Sequence, residues 1–282
     1  MLDTTDNYKE FSNYQTISAK DPIIRTFIDL SSNKKVEDDN LFIIEGLWAY
    51  EKLMKSNATI EAFVFCPEFI KSDTMKSLVY SFIGRAKSTY IISAKTCARI
   101  SGQDKSEGFF LLCRMEAYSL SDISLGIDNI IVILDGVEQA GNVGTIMRTV
   151  DGAGGDAVIL CNSRIRKNSH KLIKSSMGAS FILPIIQEDI EETIAWLNEN
   201  NFQIVLTDLT AEENYFNIDY SGRIAIVVGN EIHGISDIWR SQKCKKVIIP
   251  MLGGADSLNV GIATSLVVYE ASMRQKGYIK RI

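Results

Sequence analysis

Three short polar segments, far apart in the chain, carry the residues best suited to chemistry. They are Asn-Val-Gly-Thr-Ile-Met-Arg at 142–148, Gly-Asn-Glu-Ile-His-Gly at 229–234, and the stretch that runs from Ile-Pro-Met at 249–251 to Ser-Leu-Asn at 257–259. Each follows a short β-branched run, so we expect each to begin where a strand ends. Amides, a carboxylate, a hydroxyl and a guanidinium gathered beyond the carboxyl ends of buried strands form a ligand site rather than a core.

Arg148 is the residue we expect to act most directly on a substrate. It lies about two turns into the helix predicted to begin near Asn142, and a six-residue separation puts the two side chains on different faces. They would therefore hold different parts of one ligand. A guanidinium is hard to deprotonate, so it suits binding of a phosphate or of developing negative charge. A solvent-exposed helical arginine is the alternative interpretation.

The second half of the chain has the pattern of a mostly parallel α/β sheet with helices on both faces. Continuous apolar runs, which indicate strands covered on both faces, alternate with helical stretches. These runs lie at residues 130–134, 157–160, 181–186, 204–206, 224–228 and 247–249. Residues 257–274 predict a long amphipathic helix whose start carries the third segment. The glycines at 152–155 follow a helix and precede a strand, which predicts a helix end rather than a dinucleotide fingerprint.

The first half predicts a smaller α/β domain over residues 21–116. Helical spacing at 22–30 and 47–56, with short strands at 41–44, 62–66, 90–92 and 109–112, indicates a mixed sheet interleaved with helices. Residues 1–20 predict a flexible tail. Residues 117–129 lack sustained periodicity and indicate a linker, after which 130–282 form the second domain.

The composition is that of an ordinary globular protein. A chain of 282 residues suits two domains better than one core, and 46% hydrophobic with 23% charged residues lies in the usual range. No apolar run is long enough for a bilayer, and the polar N-terminus does not have the pattern of a signal peptide. Five widely spaced cysteines, never in a C-x-x-C pair, argue against a disulfide framework and a zinc site. We therefore expect a cytoplasmic protein.

Together the three polar segments resemble the signature of the SpoU/TrmH branch of the SPOUT RNA methyltransferases. The residues that carry this resemblance, in family order, are Asn142, Gly144, Arg148, Gly154, Gly229, Asn230, Glu231, Gly234, Ile249, Pro250, Met251, Ser257, Leu258, Asn259 and Val260. The stretches at 41–46 and 108–112 resemble the family's small substrate-binding domain. Only residues 1–20 fall outside the resemblance.

The resemblance implies an enzyme that transfers a methyl group from S-adenosylmethionine to a ribose 2′-hydroxyl of RNA. Ribosomal RNA is the favoured substrate, since the N-terminal domain resembles the unit appended to rRNA-modifying members. The family's catalytic domain is a trefoil knot that pairs into a homodimer, whereas ordinary topology rules predict an unknotted doubly wound sheet. Methyl transfer from a sulfonium to a hydroxyl is an in-line displacement that depends on alignment and needs no metal.

Site roles follow from the same resemblance. Catalytic roles fall on Asn142, Arg148, Glu231, Ser257 and Asn259, with Glu231 orienting Arg148 or the hydroxyl. The resemblance assigns Arg148 to activating the 2′-hydroxyl, as a base in one version. Because a guanidinium is hard to deprotonate, we prefer that Arg148 binds the adjacent phosphate and stabilises the developing alkoxide. Contacts with S-adenosylmethionine fall on Leu206, Gly229, Ile249, Met251 and Leu258. Helix capping is an alternative for Ser257 and Asn259. For glycines such as Gly229 the sequence leaves open whether they admit a ligand or only form a turn.

A net charge of −5 is unusual for an RNA enzyme, because affinity for phosphates comes chiefly from Lys and Arg. Local basic sets offset it, and the candidates for RNA contact are Lys34, Lys35, Arg166 and Lys174, although solvated surface charge explains any single pair as well. We expect His170 to belong to the same RNA-facing loop.

Three other functions stay open. A tRNA ribose 2′-O-methyltransferase would use the same chemistry. A catalytically silent RNA-binding or ribosome-assembly protein would keep the fold, although it has no need to retain all five polar residues. A nicotinamide-dependent reductase is disfavoured by the position of the glycines at 152–155.

Overall fold

Two separate β-sheets organise the chain, and each lies in its own unit. The computed structural model describes residues 14–34, 36, 38, 40–46, 48–102 and 106–280. The first unit comprises Met1–Glu116 and Arg166–Lys174, and the second comprises Ala117–Ile165 and Ser175–Ile282. Within the described ranges no helix is both long and apolar enough to span a bilayer.

The first unit holds a five-stranded mixed sheet in the order β1-β4-β3-β5-β2. Its strands are β1 (Tyr14–Thr16), β2 (Leu41–Glu45), β3 (Thr59–Phe65), β4 (Ser88–Ile91) and β5 (Phe109–Arg114), and its helices are α1 (Pro22–Ser31), α2 (Tyr50–Lys55), α3 (Asp73–Ile83) and α4 (Ala94–Ser101). β5 runs antiparallel to both β3 and β2, while β1, β4 and β3 are parallel. The predicted mixed sheet is therefore confirmed.

The start of this unit differs from the flexible tail predicted for residues 1–20. β1 pairs with β4 through Tyr14↔Thr89 and the next two residues, so Tyr14–Thr16 belong to the sheet. α1 then begins at Pro22, where Asp21 accepts a hydrogen bond from the Ile23 amide at 3.0 Å. An Asp cap followed by proline is a strong helix start, because it satisfies a free amide and fixes the backbone angle.

The second unit holds a seven-stranded sheet in the order β10-β12-β9-β11-β6-β7-β8. Its strands are β6 (Asn129–Asp135), β7 (Ala157–Cys161), β8 (Ile185–Gln187), β9 (Gln203–Thr207), β10 (Glu213–Asn214), β11 (Arg223–Gly229) and β12 (Cys244–Ile248). Its helices are α5 (Ala140–Ala153), α7 (Ile190–Glu199), α8 (Asp237–Arg240) and α9 (Val260–Gln275). Helix α6 (His170–Ser175) belongs to the first unit except for its last residue, Ser175. Every pairing recorded among its described strands is parallel, which confirms the predicted mostly parallel α/β sheet.

Helices cover both faces of this sheet. Ile131 and Ile133 of β6 pack with Ile194 of α7 and with Trp239 of α8 in one buried cluster. Alternate residues of a strand point to opposite faces, so Ile130, Val132 and Leu134 face the other side, where α5 and α9 contact β6. Because both faces of the sheet are covered by helices, both sets of alternating strand residues are apolar, which gives the continuous apolar runs of the sequence.

One strand prediction for this unit is wrong in detail. The run predicted as a strand at 181–186 holds a 3-10 turn at Ala179–Phe181, and β8 begins only after Pro184. Proline has no amide hydrogen for a strand ladder, which explains the late start. Residues 117–129, predicted as a linker, lie at the start of the second unit, and Ile123 among them is buried in the cluster with β6 and β7.

α5 and α9, which carry the first and third polar segments, pack directly on one another. Thr149 and Ser265 hydrogen-bond through their hydroxyls at 2.8 Å. Ser272 Oγ and Lys276 Nζ donate to the Ala153 carbonyl at 2.6 and 2.5 Å, which satisfies the carboxyl end of α5. The two helices therefore hold their segments in a fixed relation.

Candidate functional site

The three polar segments meet around one cavity of the second unit, beyond the carboxyl ends of β9, β11 and β12. Its volume is about 670 Å³. Eight of the ten residues predicted for catalysis and cofactor binding line it, namely Asn142, Gly229, Glu231, Ile249, Met251, Ser257, Leu258 and Asn259. The polar residues stand beside apolar walls, which is the usual make-up of a small-molecule site.

A hydrogen-bond chain joins one residue from each segment. Asn259 Nδ2 donates to Asn142 Oδ1 at 3.0 Å, and Asn142 Nδ2 donates to Glu231 Oε1 at 2.7 Å. Asn259 Oδ1 also accepts from the Gly261 amide at 2.9 Å, which caps α9. Asn259 therefore caps a helix and joins the site at once, and the chain uses both polar atoms of Asn142 to orient the Glu231 carboxylate.

The loop that carries Glu231 closes tightly on itself. The amides of Asn230 and Gly234 donate to each other's carbonyls at 3.0 and 2.9 Å, and Asn230 Nδ2 donates to the Gly136 carbonyl at 2.7 Å. A Cβ on Gly229 would stand 2.2 Å from the Gly234 carbonyl carbon. Glycine is thus required at position 229 because the chain approaches itself closely there. This is a reason for glycine other than the ligand contact and the turn that were considered from sequence.

Gly144 of the first segment has a similar role. A Cβ there would lie 2.0 Å from Ser175 Oγ and 2.8 Å from the Ser176 amide. Ser175 Oγ in turn donates to the Ala140 carbonyl at 3.0 Å. The glycine therefore lets another stretch of chain pack against the first turns of α5, which fixes the helix that carries Asn142.

An ion pair between Asp208 and Arg240, which was not predicted from sequence, forms part of one wall of the cavity. Arg240 Nη1 donates to Asp208 Oδ2, and the Thr210 amide and hydroxyl both donate to Asp208 Oδ1 at 2.9 Å. Burial raises the pKa of Asp208, but these hydrogen bonds and the charge of Arg240 outweigh it, so the pKa of Asp208 lies below its ordinary value. A carboxylate directly after the apolar strand β9 was a local signal for Asp208.

A second carboxylate anchors the same loop from the other side. Asp135, at the end of β6, accepts from the Ser236 amide at 2.7 Å, from the Ser236 hydroxyl, and from Asn162 Nδ2 at 2.9 Å. The loop from Gly229 to Ser236 is therefore tied to the ends of β6, β7 and β9.

Two predicted residues do not line the cavity. Leu206 is fully buried in β9, where its side chain belongs to the core, and the cavity is lined instead by the residues that follow it, from Thr207 to Thr210. The side chain of Leu206 therefore lies in the core, and the cofactor contact predicted for the stretch at Leu206 stays a prediction. Arg148 is exposed on α5, outside the cavity, and makes no hydrogen bond or ion pair with the described part of the chain.

The residues predicted to contact RNA lie in the first unit. Arg166 Nη2 donates to the Asn33 carbonyl, and Lys34 pairs with Asp29 at 3.1 Å. Lys174 is exposed on α6. Arg166 is thus bound to the residue that precedes Lys34, so these two basic residues lie close together. Lys35 lies outside the described residues. Burial and the charge of Lys174 lower the pKa of His170, which is half-buried.

Comparison with known proteins agrees with this geometry. The model of the SpoU rRNA Methylase family matches residues 129–269, half of the chain. The 23S rRNA (guanosine(2553)-2'-O)-methyltransferase RlmP of Bacillus subtilis is 25% identical over 255 residues, which cover 90% of this chain and 98% of that protein.

Solved structures extend the likeness to both units. An AdoMet-bound rRNA methyltransferase from Sinorhizobium meliloti superposes with a TM-score of 0.81 at 26% identity, over 92% of this chain and 97% of that one. An RNA 2'-O ribose methyltransferase superposes with a TM-score of 0.76 at 28% identity, over 93% of this chain and 99% of that one. With its three segments assembled around one cavity and the family match over half its length, this chain belongs to the SpoU rRNA methylase family.

Proposed function

We propose that this protein transfers a methyl group from S-adenosylmethionine to a ribose 2′-hydroxyl of ribosomal RNA. The observation that carries the proposal is the hydrogen-bond chain from Asn259 through Asn142 to Glu231 at the edge of the cavity. These residues come from distant segments, and packing of the hydrophobic core does not require them to converge. The name of the Bacillus subtilis relative, which matches over nearly its whole length, supports ribosomal RNA as the substrate class.

The cavity suits S-adenosylmethionine. Ile249, Met251 and Leu258 provide apolar surface for a flat adenine ring, and Thr207 and Thr210 provide polar groups for hydroxyls. When bound, the donor supplies an electrophilic methyl group. The task of the protein is then to hold the accepting oxygen in line with that carbon.

The polar chain at the cavity edge would position the acceptor. Asn142 and Glu231 offer fixed donor and acceptor atoms to a ribose hydroxyl, and Ser257 lies exposed beside them on the same lining. A carboxylate that is already oriented by a hydrogen bond loses little further freedom when substrate binds. We assign Asn142, Glu231, Ser257 and Asn259 to this positioning.

Arg148 supports a homodimer as the active form. It lies outside the cavity of its own chain, on α5, so its proposed contact with the ribose phosphate or alkoxide requires a second copy to face it. A surface for that copy is present on α9, where Ile262, Leu266 and Tyr269 are 51%, 38% and 39% exposed. Tyr269 reaches α5, since a Cβ on Gly152 would stand 3.1 Å from its hydroxyl. Apolar side chains beside the required arginine fit an interface.

Complementation tests this arrangement. An Arg148→Ala protein and an Asn142→Ala protein are each expected to lose most of the activity, and mixing them after partial unfolding and refolding should restore part of it. Heterodimers would hold one intact site, made from the unchanged residues of both copies. If mixing restores nothing while each variant still forms dimers, Arg148 does not act across the interface.

We also propose that the chain has the family's knot, with the stretch from β12 to α9 passing through a loop of the second unit. In support, the loops after β9, β11 and β12 all line one cavity, and Asn259 at the start of α9 reaches Asn142 on α5. A crystal structure that traced this stretch outside the loop would refute the knot. The five free cysteines fit a reducing compartment, and we propose the cytoplasm.

RNA binding by the first unit is proposed for Arg166, Lys174 and Lys34, with Lys35 added from sequence. Filter binding over a range of salt concentrations should show a smaller salt dependence when Arg166 and Lys174 are changed to Gln, because fewer counterions are released. An unchanged salt slope would remove these residues from the RNA contact. The matched control is Lys76→Gln, since Lys76 is an exposed lysine of the same unit on α3.

The proposed activity itself is tested with methyl-labelled donor and separate pools of ribosomal and transfer RNA. Label should enter ribosomal RNA with the wild type and should be lost with Arg148→Ala, while donor affinity measured by calorimetry stays near normal. Label in transfer RNA only would move the assignment to the other substrate class. Lack of donor binding would instead favour a silent RNA-binding protein.

A further inference from the structure

The side chain of Arg240 is held at two of its three nitrogens by the described part of the chain. Its Nε donates to the Ile235 carbonyl at 3.2 Å, and its Nη1 donates to Asp208. Nη2 donates no hydrogen bond to any residue that the structure describes. The side chain is 31% exposed and lines the cavity. A planar guanidinium fixed at two of its nitrogens presents the third in a set direction.

Gly234 leaves this nitrogen uncovered. A Cβ at position 234 would stand 3.8 Å from Arg240 Nη2, so any longer side chain there would lie against the free nitrogen. Gly234 itself has a φ of 70°, a left-handed backbone that favours glycine. The loop geometry that requires glycine therefore also leaves Arg240 open to a ligand.

The charges around the cavity indicate which group of a ligand this nitrogen would bind. Among the described lining residues, Arg240 is the one Lys or Arg, while Asp208 and Glu231 are acidic. S-adenosylmethionine carries a sulfonium, an ammonium and a carboxylate. The exposed Glu231 favours the two cationic groups, but an acidic lining would repel the carboxylate unless a cation faces it.

We propose that Arg240 binds the carboxylate of S-adenosylmethionine through Nη2, with Asp208 as the positioning residue that holds the guanidinium. This inference rests on the proposed function, because it names a contact with the proposed donor. The Asp208 side chain is 2% exposed, and its two oxygens accept three hydrogen bonds from Thr210 and Arg240. It is therefore committed to holding Arg240 and is not available to the ligand.

The test compares S-adenosylmethionine with its decarboxylated analogue, which keeps the adenosine and the sulfonium but lacks the carboxylate. A charge-assisted hydrogen bond predicts that the wild type binds S-adenosylmethionine roughly ten- to one-hundredfold more tightly than the analogue by calorimetry. Removing Arg240 alone would leave Asp208 buried without its cation, so the main variant combines Arg240→Met with Asp208→Asn. In this variant the ratio of the two affinities should fall close to one.

Two single variants complete the design. Arg240→Lys keeps a cation and should retain most of the preference, and the wild-type ratio of the two affinities keeps the proposal falsifiable if the double variant does not fold. Arg223→Met is the matched control, because Arg223 donates to the Gly126 and Asn200 carbonyls at 2.9 Å and does not line the cavity. Its ratio should equal that of the wild type.

The outcomes separate the inference from the proposed function. A wild type that binds both ligands equally, or a double variant that keeps the wild-type ratio, would overturn the role of Arg240 and leave the donor assignment intact. A double variant that weakens both ligands by the same factor would reduce Arg240 to a structural role. A wild type that binds neither ligand would overturn the proposed function and this inference together.

Discussion

Substitution of Gly229 by alanine should damage the donor site much more than the fold. A Cβ there would stand 2.2 Å from the Gly234 carbonyl carbon and 2.4 Å from the Ile235 amide nitrogen, whereas ordinary contact begins at 3.4 Å. Both neighbours are backbone and cannot turn aside. Gly229 does not have a positive φ, so crowding alone determines the effect.

The magnitude follows from the contacts that must open. Moving the Gly234 backbone away breaks the two bonds between Asn230 and Gly234, and each contributes about 0.5–1.5 kcal/mol. The variant should therefore lose about 1–3 kcal/mol in this loop. Because the binding-competent loop becomes a minor state, donor affinity should fall roughly five- to one-hundredfold.

Calorimetric titration with S-adenosylmethionine measures the effect, and urea unfolding measures the cost to the fold. Gly253→Ala is the matched control, since no heavy atom of the described residues lies within 4 Å of a Cβ at that position and its φ is not positive. It should leave donor affinity unchanged. Wild-type affinity in Gly229→Ala would refute the argument that chain crowding, rather than ligand approach, requires this glycine.

Further predictions concern the polar chain, a buried ion pair and acid stability. Asn142→Ala removes the link between Glu231 and the third segment, so methyl transfer should fall roughly one-hundredfold, while the melting temperature moves by only about 2 °C because the partners are exposed. Arg274→Met leaves Glu270 uncompensated, with side chains 9% and 15% exposed, and should cost about 3–5 kcal/mol in urea unfolding. Asp208 has a lowered pKa, so its stabilisation is complete above the unfolded value near 3.9 and is lost as pH falls through the lower folded value. The wild type should therefore lose more stability than Asp208→Asn as the solution is acidified below about pH 4.

Each of these has an outcome that contradicts it. An unchanged transfer rate in Asn142→Ala would remove the hydrogen-bond chain from the mechanism. For the ion pair, Glu270→Gln combined with Arg274→Met should recover stability, and no recovery would show that the loss comes from packing. Parallel acid unfolding curves for wild type and Asp208→Asn would show that the carboxylate gains nothing from its partners.

Local sequence signals predicted the frame of the site well. Apolar runs followed by glycines and polar residues are short-range patterns, so the strand ends before Asn230 and Pro250 could be placed from sequence. The spacing of Asn142 and Arg148 also predicted different helix faces, and the structure puts only Asn142 on the cavity. The strand predicted from residue 181 begins later, at Ile185, because Pro184 has no amide hydrogen for the strand ladder.

Contacts between distant segments could not be predicted in the same way. Asp208 and Arg240 lie 32 positions apart, and nothing in either neighbourhood specifies the other. Sequence could not separate Leu206 from the loop residues after it, because they are adjacent in the chain although only Thr207 to Thr210 line the cavity. Likewise, β1 joins the sheet through pairing with β4, which lies more than seventy residues later in the chain.

The central claim, that this site methylates a ribose oxygen of ribosomal RNA, is tested most directly by mass spectrometry of nucleosides from RNA treated with the protein and methyl-labelled S-adenosylmethionine. We predict that the labelled methyl group is found on a ribose 2′-oxygen and disappears with Arg148→Ala. A label on a base, or no label although the donor binds, would contradict it.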